Sequence, residues 1–130
     1  MKKNYSFIFL FLFSFSSVFS QVQVGNGTVI NEELPIEPYY GYTYSQVIYT
    51  SAEINSSGDI SGISYTATAE TTLASSSDWT VYMAHTSNSS FADGDSWEPF
   101  DNFTQMFSGT VSISDGVVTI PFDTPFSYNG

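Results

Sequence analysis

Between Phe103 and Phe122 the chain alternates apolar and polar residues on either side of an Asp-Gly pair, and that pattern leaves few folds open. Phe103, Phe107, Val111 and Ile113 share one face of the first run, with Thr104, Ser108, Thr110 and Ser112 on the other. Asp115-Gly116 follows, a two-residue hairpin signal, and Val118, Ile120 and Phe122 then return on one face. Period two belongs to strands, where successive side chains point to opposite faces. Trp79 to His85 repeats it, with Trp79, Val81 and Met83 against Thr80, Tyr82 and Ala84.

Two further runs read as strands from their Val, Ile, Tyr and Thr content: Ser45 to Ile54, and Ile60 to Ala69 after the polar turn Asn55-Ser56-Ser57-Gly58-Asp59. Ser/Thr-rich Thr71 to Asp78 and the longer Thr86 to Asn102 read as loops. No segment carries a helical period. The fold expected is all-β, an antiparallel two-sheet β-sandwich of jelly-roll-like form, spanning residues 39–130. Trp79, Val81, Phe107, Val111 and Ile120 are expected inside, Thr80 and Ser112 outside. Tyr42 and Tyr44, on one face of an entering strand, are expected to be partly buried. Residues 21–38 form a leader in which Pro35 and Pro38 forbid a helix. The chain closes on Asn129-Gly130, a second hairpin signal with no strand after it, so the sandwich is expected to be incomplete at its C-terminal side.

Charge then places the protein. Lys2 and Lys3 are the only basic residues apart from one histidine, and both precede the apolar run Phe7 to Phe15. Val18-Phe19-Ser20 completes a signal peptide, cleaved after Ser20 to leave Gln21 first and a secreted or surface-displayed product. The run is too short to span a bilayer, which takes about 20 residues. All thirteen acidic residues lie later, from Glu32 to Asp123, so residues 21–130 carry a formal charge of about −13. Nucleic-acid binding needs cations to displace phosphate counterions, and attraction to anionic membranes needs them as well. Neither function suits this surface. With no cysteine there is no disulfide, thiolate metal site or thiol nucleophile.

Four groups of residues invite a chemical reading. Asp93, Asp95, Glu98 and Asp101 are hard oxygen ligands close in sequence, with Gly94 permitting a sharp turn, which suits calcium; the plainer reading is an acidic loop whose Asp and Gly make turns. Tyr39, Tyr40 and Trp97, with Tyr42 and Tyr44, offer flat faces for stacking sugar rings, or pack on the core and brace the entry loop. His85 is the only histidine, so any Ser-His-Asp site would run through it; no Gly-x-Ser-x-Gly elbow is present, and a structural histidine on a loop backbone is the plainer reading. Paired carboxylates could hydrolyse glycosides, but a chain of this size offers little cleft. Sequons begin at Asn26, Asn55, Asn88 and Asn102, as expected by coincidence in a Ser/Thr/Asn-rich exported chain.

Several segments resemble, in order, a module of Bacteroidetes secreted proteins. They are Leu34-Pro35-Ile36, Pro38 to Gln46 (PYYGYTYSQ), Ala52-Glu53-Ile54-Asn55, Trp79 to Thr86 (WTVYMAHT), Phe107 to Val111 (FSGTV) and Pro125 to Gly130 (PFSYNG). Ala84 departs from the pattern, where Gly more often precedes the His-Thr pair. The resemblance implies an N-terminal β-rich module followed by further domains, often fibronectin type III-like, and a C-terminal type IX secretion sorting domain. It implies no catalytic residues. The function expected is non-catalytic, in adhesion or as an accessory domain, with surface glycans or extracellular matrix as partners. The alternatives are an accessory domain of an exported hydrolase and a calcium-dependent carbohydrate-binding domain.

Overall fold

The computed structural model describes residues 21–27, 34–37, 39–68, 71–73 and 75–130. The signal-peptide reading, on residues 1–20, lies outside them, as do residues 28–33, Pro38, Ala69, Glu70 and Ala74. Five strands are seen among the described residues: β1 (Gly58–Thr66), β2 (Asp78–Met83), β3 (Thr104–Thr110), β4 (Ile113–Ser114) and β5 (Val117–Tyr128). They form two antiparallel sheets, one in the order β1-β5-β4 and one pairing β2 with β3.

The Asp115-Gly116 hairpin forms as the sequence predicts. Ser114 pairs with Val117, and both turn residues have positive φ, 52° and 75°, the mirror-image turn whose twist matches the strands it joins. The run Phe103 to Ser114, expected as one strand, divides at Val111-Ser112. β3 pairs with β2 and β4 with β5, so the chain crosses from one sheet to the other at this break. Val111 marks the crossing; its N–H donates to the Ser77 carbonyl at 2.8 Å.

β3 lies against β5, and the core forms where they meet. Val111, Val118 and Ile120 are buried, with Ile63, Tyr65, Trp79, Val81, Phe107 and Ile113 packed against them. The five residues expected inside therefore all belong to this core, while Thr80 and Ser112 are exposed. The Trp79 indole N–H enters it satisfied, donating to the Ser76 carbonyl at 2.6 Å.

Two register shifts modify simple alternation. On β3, Val81 faces Phe107 and Tyr82 faces Gln105, leaving Met106 as the extra residue of a bulge. A bulge turns two consecutive side chains toward one side. Strict period two from Phe107 would put Met106 on the polar face, yet it is buried with 2% of its surface exposed. On β5, Phe122 to Pro125 stand opposite Ser61 alone, because Ile60 pairs with Phe126 and Gly62 with Pro121. Proline has no ladder N–H to give, and a bulge is where a strand tolerates it.

The expected strand Ser45 to Ile54 is absent. Residues 45–50 join no sheet, and Ser51–Ile54 is a single helical turn. Thr50-Ser51-Ala52-Glu53 is a capping box: the Thr50 hydroxyl accepts from the Glu53 N–H at 3.3 Å and the Glu53 carboxylate from the Thr50 N–H at 2.8 Å. Those reciprocal bonds outweigh the β propensity of the neighbouring residues. They also hold the exposed Glu53 carboxyl below its ordinary range, the Thr50 amide contributing most.

Candidate functional site

The segment carrying Tyr39, Tyr40, Tyr42 and Tyr44 is held by polar anchors rather than by a ladder. Thr43 Oγ1 accepts from the Glu37 N–H and donates to the Glu37 carbonyl, both at 3.2 Å. Ser45 Oγ donates to the Pro35 carbonyl at 2.6 Å, and Ser76 Oγ reaches the Tyr40 carbonyl at 3.2 Å. Gln46 ties this segment to the distant 86–102 loop. Its Oε1 accepts from the Glu98 N–H at 2.8 Å and its Nε2 donates to the Glu98 carbonyl at 3.1 Å, as one peptide unit pairs with another in a sheet. Nε2 also donates to the Tyr44 hydroxyl at 2.6 Å.

Trp97 is consequently brought beside Tyr44, with ring centroids 5.0 Å apart and planes tilted by 37°. These two rings, Tyr40, Tyr42 and Glu37 line an open groove of about 470 Å³. The rings are accessible: Tyr42 is 98% exposed, Tyr40 62%, Tyr44 56% and Trp97 50%. Tyr39 lies outside the groove lining and packs edge-on against Tyr40 at 5.2 Å.

Of the three rings singled out in the sequence, Tyr40 and Trp97 line one groove and Tyr39 does not. Partial burial of Tyr42 and Tyr44 was expected from a shared strand face; since the segment joins no sheet, no face is pressed on the core, and both rings reach solvent. Glu37 and Gln46 are groove residues that the sequence does not disclose. Gln46 acts through a partner 52 residues away, and no local pattern encodes that contact.

The four carboxylates considered for calcium are not gathered into one site. Asp93 Oδ1 accepts from the Asp95 N–H at 3.0 Å and from Ser96 Oγ at 2.7 Å, an Asx turn that holds the Asp93 carboxyl below its ordinary range, the Ser96 hydroxyl first. Glu98 Oε1 accepts from Thr86 Oγ1 at 3.0 Å and from the Asn88 side-chain amide. Asp101 sits in the short 3₁₀ turn Phe100–Asn102. Among the described residues no three His, Cys, Asp or Glu side chains are grouped to hold a metal ion. The Asp93 and Glu98 carboxylates bond within the loop itself.

His85 meets the backbone of strand β5 rather than that of a loop. Nε2 lies 3.0 Å from the Ser127 carbonyl, which only accepts, so this nitrogen carries the proton and is not a base toward a hydroxyl. Its ring packs on Phe126 at 4.8 Å and on Tyr128 at 6.2 Å, joining the end of β2 to the end of β5.

A larger cleft of about 2090 Å³ runs along β1 and β2, walled by residues 41–51. Tyr42 to Gln46 border both cavities, but Trp97 and Tyr40 line only the smaller one. Comparison with protein-family models, with curated proteins and with solved structures finds no match to this chain.

Proposed function

We propose that this chain is a non-catalytic β-sandwich module of a secreted or surface-displayed bacterial protein, serving adhesion or an accessory role by holding carbohydrate in the aromatic groove. The observation that carries the reading is the Tyr44–Trp97 pair, two accessible rings 5.0 Å apart, held there by a side-chain clamp. A pyranose presents C–H groups on its faces and hydroxyls around its rim. Exposed aromatic rings offer matching apolar faces, and the tyrosines and Glu37 of the lining carry groups able to bond hydroxyls. A sandwich arrangement, with the two sheets enclosing the Val111, Val118 and Ile120 core, gives the groove a rigid support.

The test is electrophoresis of the exported chain through gels containing different polysaccharides, followed by calorimetry with oligomers of any that retard it. Trp97→Ala should weaken the association at least about tenfold, or about 1.4 kcal/mol. Full retention of binding by Trp97→Ala, or indifference to every polysaccharide, would refute the reading.

A further inference from the structure

We propose that the groove selects sugars bearing a free ammonium group, such as the glucosamine units of a deacetylated amino-sugar polymer. This deepens the carbohydrate reading above and rests on it.

Three observations converge. First, Glu37, a carboxylate residue, lines the same groove as Tyr40, Tyr42, Tyr44 and Trp97. Its Oε1 accepts from the Tyr39 N–H at 3.0 Å. That bond uses one of roughly four lone-pair positions on a carboxylate, so capacity for an ammonium remains. Second, the lining is rich in tyrosine and tryptophan, whose ring faces attract cations, tryptophan most strongly. Third, residues 21–130 contain no Lys or Arg against thirteen carboxylates. A uronic-acid or sulfated glycan would find no cation to pair with and would be repelled by this field. An uncharged sugar would gain nothing from it. An ammonium-bearing sugar gains from the field, from the ring faces and from Glu37 together. The overall charge supplies only long-range attraction; the juxtaposition of Glu37 with these rings makes the preference local.

Calorimetry on the exported chain separates these terms, using glucosamine, N-acetylglucosamine and galacturonic acid tetramers at low salt. The buffer is mildly acidic, so that the amine is protonated. The glucosamine tetramer should bind about tenfold more tightly than the N-acetylated one, and the galacturonic acid tetramer should not bind. Glu37→Gln should erase the preference, bringing the two amino-sugar tetramers to equal affinity. Asp123→Asn, which removes an equal charge from an exposed position on β5, should leave the preference intact. Equal affinity for the two amino-sugar tetramers would overturn the ammonium assignment and leave the carbohydrate reading standing. So would a preference that survives Glu37→Gln. Binding of all tetramers unaffected by Trp97→Ala would overturn both.

Discussion

Gly62 has no room for a side chain. A Cβ there would stand 2.7 Å from the Ile120 carbonyl oxygen and 3.2 Å from the Pro121 Cα, both backbone atoms of the facing strand. Gly62→Ala must push β1 away from β5 where β5 bulges, and should cost about 1–3 kcal/mol in a denaturant titration. Gly94 has open space around it, and Gly94→Ala should change stability by less than about 0.5 kcal/mol. Equal effects at the two sites would contradict the close approach. A second residue-scale effect is the Tyr65 hydroxyl, pushed from its ordinary 10.0 to about 12, by burial first and then by neighbouring Tyr49. The folded state resists losing this proton more than the unfolded chain does. Stability is therefore unaffected below pH 10 and falls as pH rises from about 10 to about 12. Thermal melts across that range should show the decline, and Tyr65→Phe should flatten it; an unchanged slope would contradict the assignment.

At the scale of elements, the informative departure is the bulge on β3. Met106→Ala should cost about 2–5 kcal/mol, as expected for a buried side chain, whereas neighbouring exposed Gln105→Ala should fall within about 0.5 kcal/mol. A near-neutral Met106→Ala would place this side chain outside the core. The hairpin at Asp115-Gly116 and the inward sets Trp79/Val81 and Val118/Ile120 were legible in the sequence because turn chemistry and period two are local signals. Met106 was not, since a bulge is a property of the pair of strands. The Ser45 to Ile54 run failed for a different reason: its β-prone residues mask Thr50-Ser51-Ala52-Glu53, a capping box whose spacing was readable but competes with propensity. Tyr40 and Trp97 were legible as exposed-aromatic candidates by type. Their shared groove was not, because it depends on Gln46 gripping Glu98 across the fold.

At the scale of the whole molecule, a chain whose acidic residues outnumber its cations this far owes part of its instability to its own field. Residues 21–130 can form no Lys or Arg ion pair, so added salt acts mainly by screening carboxylate repulsion, shortening its range from about 30 Å at 0.01 M to about 3 Å at 1 M. The melting temperature should rise gradually with NaCl and equally with KCl at the same ionic strength. A fall in stability over that range would contradict a repulsion-limited surface.

The most direct test of the central claim uses the only two tryptophans in the chain. A ¹⁵N-labelled sample gives two indole N–H signals, one from Trp79 in the core, bonded to the Ser76 carbonyl, and one from Trp97 beside Tyr44 in the groove. Titration with glucosamine and N-acetylglucosamine tetramers should shift the Trp97 signal to saturation and leave that of Trp79 in place. A Trp97 signal that stays fixed with both tetramers, or a shift confined to Trp79, would contradict the assignment of the Tyr40–Trp97 groove as the binding site.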